Sequence, residues 1–164
     1  MHFMINRTPP STQANAENLA ACTCANLRKA TRLVTQAYDA ALQPSGLKAT
    51  QFTVLATLAS MDDGSAPLTR LADKLVMDRT TLTRNLKPLV RDGLIDIVQE
   101  SDQRVRNVTL TANGKASFEE AQPRWERVQS AMVEKLGSER WSGLLEDLGA
   151  TITTLRDGGT LRDD

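Results

Sequence analysis

Residues 68–110 read LTRLADKLVMDRTTLTRNLKPLVRDGLIDIVQESDQRVRNVTL. This stretch decides the fold, because the period of its apolar residues changes once along it. In the first half they recur at helical spacing, which predicts two short helices over Thr69–Leu75 and Arg79–Arg91. Asp78 is placed to cap the second, accepting a backbone N–H from Thr80 or Thr81. Gly93 stands where a left-handed residue commonly ends a helix. Beyond it, Leu94, Ile95, Ile97 and Val98 lie in a β-rich run, and Val105, Val108 and Leu110 lie in another. The polar segment from Glu100 to Arg104 between them completes a β-hairpin. Two short helices followed directly by a hairpin are the plan of a winged helix-turn-helix.

Outward from that core, Glu17–Leu42 reads as a helix with Leu27, Ala30, Val34, Ala37, Tyr38 and Ala41 at three- and four-residue steps, ended by Pro44 and Gly46. A second helix runs from Ala49 to Ser60, with Thr50 as its candidate cap and Phe52, Leu55, Ala56 and Leu58 on its apolar side. Asp62, Asp63, Gly64 and Ser65 read as a turn. After the hairpin, Thr111 is the candidate cap of a long helix in which Phe118, Ala121, Trp125, Val128 and Met132 repeat. Gly137 breaks the chain, and Ser138 is the candidate cap of a last helix carrying Trp141, Leu144, Leu145, Leu148, Ile152 and Leu155 on one side.

The predicted fold is mainly α with a small β-hairpin wing, a winged helix-turn-helix with long terminal dimerisation helices. Residues 1–16 are expected to form a disordered tail, 17–156 a single domain and 157–164 a second tail. Within the domain, 17–45 and 116–156 form the terminal helices and 47–115 the DNA-binding lobe. The terminal helices carry more apolar stripe than one small core uses. They pack either as a bundle within one chain or across a two-fold axis. The second is expected, because a DNA reader with one recognition helix gains most from a symmetric partner.

Composition narrows the function. Hydrophobic residues are 40% and charged residues 24% of the 164, the balance of a globular protein. Aromatics are only 4%, so the core must rest on Leu, Val and Ala. No apolar run approaches the ~18 residues of a membrane span, and Met1 to Ser11 lacks the pattern of a secretory signal. Net charge is zero but uneven: +1 over residues 1–67, +3 over 68–115 and −4 over 116–164. The basic middle allows a phosphate-binding surface. The sole histidine is His2. There is no Cys/His metal cluster, nucleophile motif or phosphate-cradling glycine loop, so neither an enzyme nor a cofactor is expected.

On a helical wheel of Arg79–Arg91, Thr80, Arg84, Lys87 and Arg91 fall in one stripe with Thr83 at its edge. Leu82, Leu86 and Leu89 fall opposite. One face seats the helix and the other presents hydroxyls and cations, the groups that meet phosphates and base edges. Pro88 removes a bond to the carbonyl of Arg84 and predicts a kink beyond the first turns. The hairpin tip adds Arg104 and Arg106, which can enter a narrow minor groove. Asp102 can hold the Arg104 guanidinium or cap the turn. Double-stranded DNA is thus the expected partner. A helical interaction module that binds protein is the alternative.

The run Asp102-Gln103-Arg104-Val105-Arg106-Asn107-Val108-Thr109-Leu110-Thr111-Ala112-Asn113-Gly114 resembles the wing motif of MarR-family regulators, D-x-R-x-x-x-V-x-L-T-x-x-G. Leu68-Thr69-Arg70-Leu71-Ala72 and Asp78-Arg79-Thr80-Thr81-Leu82-Thr83-Arg84 resemble the family's helix-turn-helix. Leu89-Val90-Arg91-Asp92-Gly93-Leu94-Ile95 resembles its exit from the recognition helix. The resemblance spans about residues 20–155. It implies DNA contacts from Arg70, Arg79, Thr80, Thr81, Thr83, Arg84, Lys87, Arg104 and Arg106, with Asp102 supporting the wing. It further implies a triangular homodimer on a near-palindromic operator, usually a repressor released by a small molecule or an oxidant.

Cys22 and Cys24 suit a reducing cytoplasm. The segment from Cys24 to Arg32 is similar to the first-helix motif of the organic-peroxide-sensing branch. Cys24 matches the oxidised cysteine, and Tyr38 matches a tyrosine that hydrogen-bonds it across the dimer. The sequence departs from that branch at Arg28, where the branch has another tyrosine. A cation and a helix N-terminus both favour thiolate. Within one helix, Cys22 and Cys24 lie ~200° apart and would not bridge. The plainer reading is two small apolar residues with no redox role. The effector expected by resemblance is a small aromatic molecule or a peroxide.

Overall fold

The computed structural model describes residues 20–61, 63–99 and 106–157. Expectations about residues 1–16 and 158–164, and about Asp102 and Arg104 at the hairpin tip, fall outside these residues, while Asp157, expected to open the second tail, is the last residue of the final helix. In chain order the elements are α1 (Thr23–Leu42), a 3-10 turn (Gln43–Ser45), α2 (Ala49–Ala59), β1 (Ser65–Pro67), α3 (Leu68–Leu75), α4 (Arg79–Arg91), β2 (Ile95–Gln99), β3 (Arg106–Leu110), α5 (Ala112–Leu136) and α6 (Ser138–Asp157).

The sheet has three antiparallel strands in the order β1-β3-β2. β2 and β3 form the expected hairpin, with Ile97 opposite Val108 and Ile95 opposite Leu110. β1 corrects the expectation of a plain turn at Ser65. It pairs Ala66 with Val108, and the Ser65 hydroxyl meets that of Thr109 at 2.9 Å. A strand of three residues gives no alternation to detect, and its partner lies 44 residues on in sequence.

The core belongs almost wholly to the lobe. Phe52, Val54, Leu55 and Leu58 of α2 meet Leu71 and Ala72 of α3, Leu82, Leu86 and Leu89 of α4, and Ile95 and Val108 of the sheet. α1 contributes only Leu42, and α5 contributes Gly114 and Ala121 as buried residues. Four aromatics join the lobe to the long helices. Phe52 stacks on Trp125 at 5.8 Å and meets Phe118 at 5.2 Å, and Trp125 meets Tyr38 of α1 at 6.4 Å.

Three helix starts differ from expectation. α1 begins at Thr23, because the expected Glu17–Leu42 helix is interrupted at Ala21 and Cys22, where the Asn26 side-chain amide donates to the carbonyls of Ala20 at 2.7 Å and Cys22 at 3.0 Å. α2 is not capped by Thr50. Asp39 of α1 accepts from the Ala49 N–H at 2.7 Å, while the Gln51 side chain accepts from the Lys48 N–H at 2.9 Å. Ser138 is the first residue of α6 rather than its cap, because the Gly137 carbonyl accepts the first bond, from Trp141, at 3.0 Å.

Candidate nucleic-acid interface

α4 is built to be presented. Asp78 caps it from an extended backbone: its carboxylate accepts from the Thr81 N–H at 2.8 Å and from the Thr81 hydroxyl at 2.6 Å. These bonds hold the Asp78 carboxyl below the usual carboxylate range. The turn before α4 is tight. Val76 takes a left-handed φ of +52°, a conformation a β-branched residue adopts only under constraint. The Met77 N–H donates back to the Ala72 carbonyl at 2.9 Å, and Met77 sulfur accepts from Asn85 at 3.6 Å. α3 and α4 are thereby locked into one unit.

Leu82, Leu86 and Leu89 of α4 are fully buried, so its opposite face must point outward. On that face Arg79, Thr80, Thr83, Arg84 and Lys87 line one shallow groove of about 400 Å³. Five of the expected contacts are thus brought together. The Thr83 hydroxyl donates to the Arg79 carbonyl at 2.7 Å and keeps its lone pairs to accept from a ligand. Thr81 does not join the groove, since its hydroxyl serves the Asp78 cap. Arg70 is exposed on α3 and Arg106 is exposed at the start of β3. α4 runs through Pro88 to Arg91 as one helix.

The wing is fixed to α4 at its base. The Gly93 backbone is left-handed, φ +68°, and the Leu94 N–H returns to the Leu89 carbonyl at 2.9 Å. Thr111 then does two things. Its hydroxyl donates to the Gly93 carbonyl at 2.7 Å and accepts from the Gly114 N–H at 3.0 Å, capping α5. Gly114 lies so close to this corner that a Cβ would sit 1.9 Å from the Leu94 carbonyl oxygen. The L-T-x-x-G end of the wing motif is therefore a structural lock: Thr111 caps α5 as its residue type predicts, while the close approach of Gly114 to Leu94 needs the fold to be seen.

Away from the lobe, α1 and α6 bound a cleft of about 1240 Å³ lined by Cys24, Leu27, Arg28, Arg32, Asp147 and Leu155 among others. Cys22 is the extended residue before α1, so the ~200° separation expected for two cysteines on one helix does not apply. Cys24 is exposed on the first turn. Tyr38 does not line the cleft. Its hydroxyl donates to Gln129 Oε1 of the same chain, and burial pushes its phenol up. Among the described residues no cluster of His, Cys, Asp and Glu could hold a metal ion, and no helix is long and apolar enough to cross a membrane.

A helix-turn-helix whose second helix is capped, seated on leucines and cationic outside, followed by a two-stranded wing, defines the winged helix-turn-helix class. A model of the MarR family matches residues 45–104. The transcriptional regulator MosR of M. tuberculosis, solved in complex with DNA, is 38% identical over 82% of this chain and 98% of its own, with a TM-score of 0.72. The transcriptional repressor CouR, solved on a 23-mer DNA duplex, is 27% identical over 82% of this chain and 94% of its own, with a TM-score of 0.71. AbsC, a MarR-family regulator from Streptomyces coelicolor, shares the fold at 18% identity, with 92% and 99% of the two chains covered and a TM-score of 0.71. No curated protein sequence matches this chain. The chain belongs to the MarR family of transcriptional regulators.

Proposed function

We propose that this chain is a sequence-specific DNA-binding regulator acting in the cytoplasm. It works as a homodimer on a near-palindromic operator, as a repressor released by a small molecule or an oxidant. The observation that carries the DNA reading is the α4 groove, where three cations and two threonines share one outward face. Arg84 can bridge O6 and N7 of guanine, and threonines can bond to bases or touch a thymine methyl. Residues 47–115 would then be the reading lobe, with Arg70, Arg104 and Arg106 meeting flanking phosphates or the minor groove. MosR and CouR, both solved with DNA, support the same assignment.

Selection of bound duplexes from a random library by the purified protein tests it. The enriched sequences should contain two inverted half-sites about one helical turn, ~10 base pairs, apart or a multiple of that. A library that shows no enrichment over input after repeated rounds contradicts the reading.

A second reading is favoured by the exposure of Cys24 beside Arg28 in the α1–α6 cleft. An organic hydroperoxide would take two electrons from the Cys24 thiolate, giving a sulfenic acid and an alcohol, and DNA would be released. Peroxide-treated wild type should lose operator binding and recover it with thiol, while Cys24→Ser should be indifferent. Equal loss in both proteins removes Cys24 from the account.

A further inference from the structure

Arg91 shares a stripe with Thr80, Arg84 and Lys87 by helical spacing, yet the groove on α4 is lined only as far as Lys87. The Arg91 guanidinium is engaged elsewhere. Its Nε donates to Asp92 Oδ1 at 2.8 Å and its Nη2 to Oδ2 at 3.1 Å, a two-point contact between neighbours. The backbone that carries Asp92 is fixed. Its N–H donates to the Pro88 carbonyl at 2.9 Å, and left-handed Gly93 and the Leu94-to-Leu89 bond follow at once. Asp92 is thus held at the C-terminal end of α4, where the helix already carries negative partial charge and an acidic residue is repelled. Helix stability gives no reason for a carboxylate there.

We propose that Asp92 is a specificity determinant, which neutralises Arg91 and so ends the phosphate-attracting face of α4 at Lys87. The inference rests on the reading of α4 as the recognition helix. Sequence-independent binding grows with each phosphate that a cation neutralises, because counterions are released. An exposed ion pair is weak, so a phosphate can compete for the guanidinium. The carboxylate nevertheless stays beside it, and the pair brings no net positive charge to the backbone. Base reading by Arg84 is untouched. Asp92 therefore lowers affinity for random DNA more than for the operator, where base contacts have already fixed the angle of the helix.

The test uses the full chain and titrates Asp92→Asn, Arg91→Gln and the double variant against the library-selected duplex and a scrambled one across a salt series. Asp92→Asn should tighten binding to the scrambled duplex and steepen the slope of log K against log salt by ~0.9, the increment for one further phosphate. Its gain should then shrink ~3.5-fold between ~50 and ~200 mM salt. The selected duplex should gain less, so discrimination narrows. Arg91→Gln should weaken both duplexes, and the double variant should return to the wild-type slope. An unaltered slope in Asp92→Asn overturns the proposal. So does a double variant that keeps the whole gain, because Arg91 is then not its source. Wild-type protein with no salt-dependent binding to either duplex would overturn the DNA reading itself.

Discussion

Arg84 and Lys87 sit nearly a turn apart in the same groove and are expected to differ in kind. Arg84 lies nearer the Asp78 cap and is the side chain proposed to reach a base edge. Arg84→Ala should cost ~1–3 kcal/mol on the operator and relax selectivity at one position. Lys87→Ala should weaken operator and scrambled duplexes alike, with a shallower salt slope. Equal losses on both duplexes for Arg84→Ala would make Arg84 a phosphate clamp and pass base reading to Thr80 or Thr83. Gly114 acts through packing alone. A methyl group there meets the Leu94 carbonyl, which is backbone and held by the Thr111 N–H at 3.2 Å. Gly114→Ala should cost ~3 kcal/mol or more in urea unfolding, at the upper end of overpacking penalties. An unchanged midpoint would show that the corner yields. The α4 stripe was legible in the sequence because a helical face depends only on local spacing. Gly114 was legible only as a motif letter, since its reason is a carbonyl 20 residues away.

At the scale of elements, what is local was readable and what is tertiary was not. α4 matches its predicted bounds, and Asp78, Gly93 and Thr111 terminate helices as their residue types predict. β1 escaped because three residues between a turn and a helix carry no periodicity, and only β3 makes them a strand. The break before α1 escaped because it falls at Ala21 and Cys22, which carry no glycine or proline to mark it. The cap of α2 escaped because it comes from Asp39, ten residues earlier on another helix. That cap also ties the long α1 to the lobe. Asp39→Ala should lower stability by ~1 kcal/mol, the cost of a lost N-terminal cap, whereas Asp39→Asn keeps an acceptor oxygen and should be near neutral. Equal unfolding midpoints for wild type and Asp39→Ala would show that the bond carries no weight.

At the scale of the whole molecule, the terminal helices bury little of their apolar surface within the chain. From 138 to 156, α6 has no buried residue, while Leu144, Leu145, Ile152 and Leu155 are exposed on it. Leu33 on α1 is 69% exposed, and Leu27 and Val34 are also open to solvent. A helix with an apolar stripe draws its stability from packing that stripe, so these faces call for a second copy. Light scattering at micromolar concentration should give twice the chain mass, and removal of 138–164 should give monomer or aggregate. A well-folded full-length monomer would contradict the architecture. A dimer also doubles the recognition helices, and discrimination between sequences should rise with it. The most direct test is a competition titration of the wild-type dimer between its selected duplex and a scrambled duplex of equal length at fixed salt. The account predicts a preference of at least ~10³-fold, the lower bound for specific DNA readers. Equal affinity for the two duplexes would contradict it.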